Sequence, residues 1–593
     1  KNLAILRRHD PPLAERVEKW QTREGIKLEK ATNGEPIVKV RGCALHSTRD
    51  PGKEGRNWAE ATTAEHTLSA AEPLTVLGFG LGYHLRGLAA LGLSGAVIEP
   101  DMELFAAALT HLDLTEVLEN FRPIVGLSGE RLRRTHRDLL AGTIIPHPPA
   151  LRLHPEALGG LAIYGRGLRI AREGNLRILL VNPVDGGSLP IARYCATTLK
   201  EMGNLVAVFE SEQFARGMDF TGNFHFERCR TAFRSGLVTA ISRGVELMAK
   251  ETRPDLVIAL AQAPLLPETL AALAAMGIPS AFWFVEDFRV LTYWQEMAPH
   301  YTFFFGIQKG EFEGKLAALG VNRYGYLPTA ADPTIHRPLE LSPEEREEFG
   351  SLLSFVGAGY HNRRFFFRGL MDYPFRIWGS DWVMAPPLDR LIQRNAARID
   401  TETYVKIFNA SAVNLNLHSS LSHEGVVPDG DFVNPRTFEI ASCGAFQLVD
   451  RRSLLRELFE EEEVELFSDL PELRAKIDHY LEKPEERRRV AELGRKRVLA
   501  EHTYTARMEE LLATVLAAHP PLAGKMAVRQ EEKTRRHAGI DGQEGLTEFL
   551  ERLPRGKAHT MGDIYAALES GEGSLSRAER IFLALKNVEL KLD

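Results

Sequence analysis

Short apolar runs without alternation recur along this chain and set its fold class. "LRILLVNPVDGG" (176–187) opens such a run, and others follow at Leu205–Phe209, Asp255–Ala261, Ser280–Val285 and Tyr301–Ile307, with helical stretches between them. A strand with one wet face alternates apolar and polar residues; a continuous apolar strand is buried on both faces, as in a parallel sheet covered by helices. The plan then repeats at Leu353–Val356, Phe375–Trp378, Ala412–Leu417, Phe446–Val449 and Val464–Phe467. The chain is therefore read as α/β, with two successive doubly wound, Rossmann-like domains.

A related block stands upstream. "PLTVLGFGLGYHLRGLAALGLSGAVIEPDMELFAAAL" (73–109) reads as a strand, a glycine-rich turn, a helix, a second strand at Ala96–Ile98 and another helix. The stretch 141–160, dense in Pro and Gly, reads as a linker or as the last strand and exit of this block. The expected domains are 1–170, 171–335, 336–520 and a short helical C-terminal appendage at 521–593, with a helix capped near Ser574 or Ser576. The proline-rich link from 326 contains a helix start in which Ser342 and Glu345 fit a capping box, with Pro343 at the first helical position. Two such domains joined by this link imply a cleft between their strand ends, where open parallel sheets bind ligands.

Composition narrows the partners. The 593 residues suit three or four domains, and 44% hydrophobic with 26% charged residues is the balance of a globular protein. A net charge of -7 gives no broad attraction to nucleic acid. The four cysteines form no C-x-x-C pair, so neither a zinc site nor a disulfide framework is indicated, and a reducing, cytoplasmic setting fits. No apolar run reaches the roughly 18 residues of a membrane span. The start, KNLAILRRHD, lacks a signal-peptide pattern, although a trimmed terminus leaves room for a removed leader.

Five further stretches occur in a fairly specific order: "AFWFVEDF" (281–288), "GVNRYGYLPTAADP" (320–333), "FVGAGYHNRR" (355–364), "NLNLHSS" (414–420) and "NPRTFEIASCGAF" (434–446). Over roughly 177–516 they resemble the CgeB-like glycosyltransferases of the GT-B architecture. That resemblance implies a nucleotide-sugar donor, UDP-, GDP-, dTDP- or CMP-linked, handled without a metal.

The chemistry accounts for the residue types. Charge grows on the leaving phosphate as the bond to the sugar breaks, so cationic and N–H groups aimed at it lower the barrier. Arg436, Arg363 and the amides around Gly444 are the candidates, with the small-residue turn at Gly444 read as a helix start. Asn434 opens the same motif and joins the donor set. The resemblance assigns Glu439 to the ribose hydroxyls, a task that suits an acceptor-only carboxylate; a surface Glu beside a surface Arg is the plainer reading. Arg436 and Glu439, three apart, share a helical face. Asp287 is the acidic residue following its strand and could act as a base or position an acceptor, with Glu286 an equal competitor. Gly186 and Gly187, after Asp185, would let backbone approach the donor or serve only a turn. His418 is a candidate contact to sugar or phosphate, weighed against a satisfied structural histidine.

The first block supports a rival. Gly78, Gly80 and Gly82 after a strand, with Glu99 ending the next, suit an S-adenosylmethionine site. Yet "LHSTRDPGKEGRNWAEA" (45–61), together with the glycine-rich segment, resembles the motility accessory factor family over about 40–130, implicated in flagellin glycosylation. Three functions follow: a glycosyltransferase with a protein acceptor such as flagellin, a methyltransferase using S-adenosylmethionine, and a non-catalytic glycosylation or assembly factor.

Overall fold

The computed structural model describes residues 1–20, 26–40, 42–382, 386–529, 564–566 and 568. They divide into two compact units, Lys1–Ala171 with Pro328–Ala517, and Arg172–Leu327 with Ala518–Asp593. The capped helix expected near Ser574 or Ser576 lies outside the described residues, and 520–529 is helical.

The first unit opens with a small antiparallel sheet, β1 (Ile26–Lys30), β2 (Pro36–Val40) and β3 (Cys43–Ala44). Its charged, mixed strands carry none of the continuous apolar signal, which is why the sequence does not announce them. A parallel sheet follows: β4 (Leu74–Leu77), β5 (Gly95–Glu99), β6 (Phe121–Val125) and β7 (Thr143–Pro146), in the order β6-β5-β4-β7. β4 is buried along its whole length, as its unbroken apolar run requires. β6 contains Pro123 and exposed Arg122 and sits at the sheet edge, where a missing N–H is tolerated. Neighbours of β4 lie on both sides, so the loop leaving it opens at a crossover point.

The second unit holds a six-stranded parallel sheet of β8 (Arg177–Val181), β9 (Leu205–Phe209), β10 (Leu256–Leu260), β11 (Ser280–Phe284), β12 (Phe303–Gly306) and β13 (Tyr324–Tyr326). Their order is β13-β12-β11-β10-β8-β9, with the crossover between β8 and β10. β13 is the half-buried edge strand Tyr-Gly-Tyr, too short for a periodic signal.

The chain then returns to the first unit. Helix Pro343–Phe349 starts as the sequence specifies: Glu345 N–H donates to Ser342 Oγ at 3.2 Å, and Ser342 N–H to Glu345 Oε2 at 2.9 Å. Beyond it lie β14 (Leu353–Val356), β15 (Phe375–Trp378), β16 (Val413–Asn416), β17 (Gln447–Asp450) and β18 (Glu465–Phe467), all parallel, ordered β15-β14-β16-β17-β18. The core on one side joins Phe355, Phe367, Phe375, Leu415 and Leu448. Each such side chain contributes about 1.5–3 kcal/mol on burial. Within this unit, helix Gly160–Glu173 meets helix Tyr504–Ala518 at Gly167, where a Cβ would come 2.6 Å from the Ala513 carbonyl oxygen. Only glycine permits that approach.

Candidate active site

The crossover of the five-stranded sheet lies between β14 and β16, and the residues that leave these two strands build a polar centre. Helix Pro435–Ser442 starts there. Asn434 is its N-cap: its Oδ1 accepts from Thr437 N–H at 3.1 Å, and its Nδ2 donates to Asn416 Oδ1 at 2.8 Å. The side chain is thus spent on holding the helix start against β16.

His418 is fully buried and anchors the same point. Its backbone N–H donates to Asp450 Oδ1 at 2.8 Å, its Nδ1 lies 2.6 Å from that oxygen, and its Nε2 accepts the Asn434 N–H at 2.9 Å. An accepting Nε2 places the proton on Nδ1, so the ring is neutral, in keeping with burial lowering its pKa to about 4. Burial would raise the Asp450 carboxyl, but Arg452 and His418 hold it below the usual carboxylate range; Arg452 Nε donates to Oδ2 at 2.9 Å. The candidacy of His418 as a contact to substrate is corrected: both ring nitrogens are committed inside the fold.

Arg436 and Glu439 pair directly on the helix, three residues apart. Glu439 is 3% exposed, whereas the Arg436 side chain keeps 29% exposure. Its guanidinium lies 3.9 Å over the Tyr404 ring. Burial lowers the Arg436 pKa, but Glu439 and Tyr404 outweigh it and move it upward, so its charge is fixed. His336 stands beside the pair, its Nε2 3.8 Å from Glu439 Oε1 and 2.9 Å from the Tyr404 hydroxyl.

Arg363, 8% exposed, donates through Nε to Leu417 O and through Nη1 to Ala358 O, each at 2.9 Å. Burial lowers its pKa to about 10, still well above neutrality. Arg363, Arg436 and Asn416 line one cavity of about 10 Å³, roughly the room of one water. That room is too small for a phosphate.

Gly444 is the second correction. It follows the C-terminus of helix Pro435–Ser442 with φ +66°, and its N–H is committed to Ala441 O at 2.9 Å. This is the carbonyl end of the helix, where the dipole repels a phosphate.

In the second unit, Glu286 accepts from Ser188 Oγ at 3.0 Å. Ser188 begins helix Ser188–Glu201 at the β8 end of the crossover. Burial raises the Glu286 pKa, with the Ser188 bond opposing and Asp287 adding to the rise. Asp287 Oδ1 is already taken by Arg289 N–H at 3.0 Å and Gln308 Nε2 at 3.2 Å. Gly186 has φ +91° and lies where a Cβ would meet Gln262 Oε1 at 2.7 Å. Gly187 has φ -71° and open space around a Cβ, so neither conformation nor clearance requires glycine there.

Residues 363–513 match the family described as glycosyl transferase-like. By that match this stretch is glycosyl transferase-like. Arg363, Asn416, Arg436 and Glu439 all fall inside it. Spore protein CgeB of Bacillus subtilis (strain 168) is 26% identical over 215 residues, 35% of this chain and 64% of that relative. The match thus spans just under two thirds of that protein's length. HepE of Anabaena, solved with UDP-glucose, overlaps at a TM-score of 0.40 and 12% identity, covering 58% of this chain and 100% of that one. Sucrose-phosphate synthase from Thermosynechococcus elongatus overlaps at 0.40 and 12%, covering 60% and 99%.

The glycine loop lies outside the residues that match this family. Gly78, Gly80 and Gly82 all have positive φ, 103°, 52° and 79°. Glu99, 1% exposed, turns back onto this loop: Oε2 accepts from Phe79 N–H at 2.8 Å and Gly80 N–H at 3.3 Å, and Oε1 from Asp101 N–H at 3.0 Å. Burial raises its pKa to about 7 against these three amides. The Leu81 N–H goes to His46 Nε2 at 3.0 Å. The loop amides are thus taken up by Glu99 and His46, and the carboxylate a ribose would use is turned onto the loop. Glu99 as a ribose ligand is corrected accordingly.

Sequence reasoning missed Tyr404 and His336, which flank the Arg436–Glu439 pair, and Asp450 and Arg452, which fix His418. Asn416 was legible as one of two asparagines, with Asn414, in the buried strand Val413–Asn416.

Proposed function

We propose that the chain transfers a sugar from a nucleotide-linked donor to a hydroxyl of a protein acceptor. The observation that carries this reading is the Arg436–Glu439 pair, with Arg436 keeping an exposed face, inside the segment that matches the glycosyl transferase-like family. Arg436 takes the leaving phosphate and Glu439 the ribose hydroxyls; Arg363 and Asn434 fix the two loops that frame them. Glu286, whose raised pKa and free second oxygen suit proton transfer better than Asp287, takes the acceptor's proton. No metal is assigned to this step, since the arginines supply the positive charge. Flagellin or another surface protein is the acceptor favoured by the resemblance of residues 40–130 to the motility accessory factors. UDP-, GDP-, dTDP- and CMP-sugars are the donors to compare.

Glu439→Gln is the informative substitution, because Glu439→Ala would leave Arg436 without its partner and unsettle the helix. Calorimetric titration of Glu439→Gln should show donor binding about ten- to a hundredfold weaker, the worth of one charged hydrogen bond. Unchanged donor affinity and turnover in that variant would remove Glu439 from the site.

A further inference from the structure

We propose that His46, His84 and His147 form a binding site for a divalent transition-metal ion of the zinc class, in the N-terminal part of the first unit and apart from the sugar-transfer chemistry. The three come from separate stretches of chain: the segment after β3, the first turn of helix Tyr83–Ala90, and the residue after β7. The fold buries all three, at 5%, 1% and 5% exposure. One ligand nitrogen of each lies within 4.8 Å of the others.

The hydrogen bonding leaves lone pairs unused where they converge. His84 Nε2 lies 3.0 Å from Gly78 O, and a carbonyl only accepts, so the proton is on Nε2 and Nδ1 carries a lone pair. A backbone carbonyl fixing the far nitrogen is also how metal-bound histidines are usually oriented. His84 Nδ1 and His147 Nδ1 are both buried without a hydrogen-bond partner. Each such orphan costs about 1–3 kcal/mol, a cost that packing alone gives no reason to bear twice. The two rings stack at 3.8 Å with an interplanar angle of 1°, and Trp58 closes one side edge-on at 5.3 and 5.6 Å.

His46 joins by exchanging the Leu81 N–H at Nε2 for the ion. Bonds of about 2.0–2.1 Å around a tetrahedral ion need nitrogens about 3.4 Å apart, so the rings must draw in by up to about 1.4 Å, and the stacked His84 and His147 rings must tilt out of parallel for both in-plane lone pairs to meet one ion. An all-imidazole set favours Zn²⁺, Cu²⁺, Ni²⁺ or Fe²⁺ over Mg²⁺ or Ca²⁺. Three protein ligands leave one position for water or an anion.

The test uses the full chain, stripped with chelator and titrated with Zn²⁺ and Co²⁺. One equivalent should bind with micromolar or tighter affinity, Co²⁺ should give the visible absorption of a nitrogen-ligated ion, and Zn²⁺ but not Mg²⁺ should raise Tm. His84→Gln and His147→Asn should each weaken binding by about a hundredfold or more, while His479→Asn, at an exposed histidine, leaves it unchanged. Should either buried variant fail to fold, the wild-type Co²⁺ spectrum and the Zn²⁺ against Mg²⁺ comparison decide. Sub-stoichiometric or millimolar binding by the wild type overturns the proposal. So does full binding in folded His84→Gln and His147→Asn.

Discussion

Glu99 is a carboxylate whose place in the sequence suggests a ligand contact and whose place in the fold makes it a loop anchor. Burial lifts its pKa from 4.5 to about 7, so between those values the folded protein holds a proton that the unfolded chain has released. Stability contributed by the neutral carboxyl is complete below the unfolded pKa and is lost as pH rises through about 7. His46 and His84, lowered to about 3 and 4, act in the opposite sense over the range from about 4 to 6.5. Comparison with Glu99→Gln separates the two effects. Urea unfolding of the wild type and Glu99→Gln between pH 5 and 8 should show the variant's relative stability growing with pH, by on the order of 3 kcal/mol. A difference that stays flat over this range would mean Glu99 is ionised in the fold throughout.

At the scale of elements, helix Pro435–Ser442 decides what its motif can do. Asn434 caps it, Pro435 takes the first helical position and Gly444 ends it in the left-handed region, the usual asymmetry of proline at the start and glycine past the end. That asymmetry is present in "NPRTFEIASCG" and runs against a helix start at the small-residue turn. Direction is the property that residue type alone does not convey. Gly444→Ala should therefore cost about 1–2 kcal/mol of stability from the positive φ, measured by chemical denaturation, and leave donor affinity unchanged. Loss of donor binding at unchanged stability would return the Gly444 amide to the phosphate site. His418 illustrates the complementary limit: its burial depends on Asp450, Arg452 and Asn434, residues distant enough in sequence that no local pattern joins them.

At the scale of the whole chain, the buried parallel strands were legible because burial on both faces leaves an unbroken apolar run. β9 and β14 coincide with their runs, whereas β1, β2, β6 and β13 carry no such run, being edge, antiparallel or interrupted by proline and charge. Among the described residues three parallel sheets each open a crossover, after β4, between β8 and β10, and between β14 and β16, and fold alone does not say which binds nucleotide. Side-chain chemistry separates them: the amides after β4 are filled by Glu99 and His46, while Arg436 beside β16 keeps an exposed face. Hydrogen exchange measured with and without a saturating nucleotide sugar should therefore show added protection at 357–364 and 434–442 and none at 78–84. S-adenosylmethionine should alter neither region. Protection of 78–84 by S-adenosylmethionine, with none at 434–442 from any nucleotide sugar, would move the chemistry to the glycine loop, because only a ligand displacing Glu99 could reach those amides.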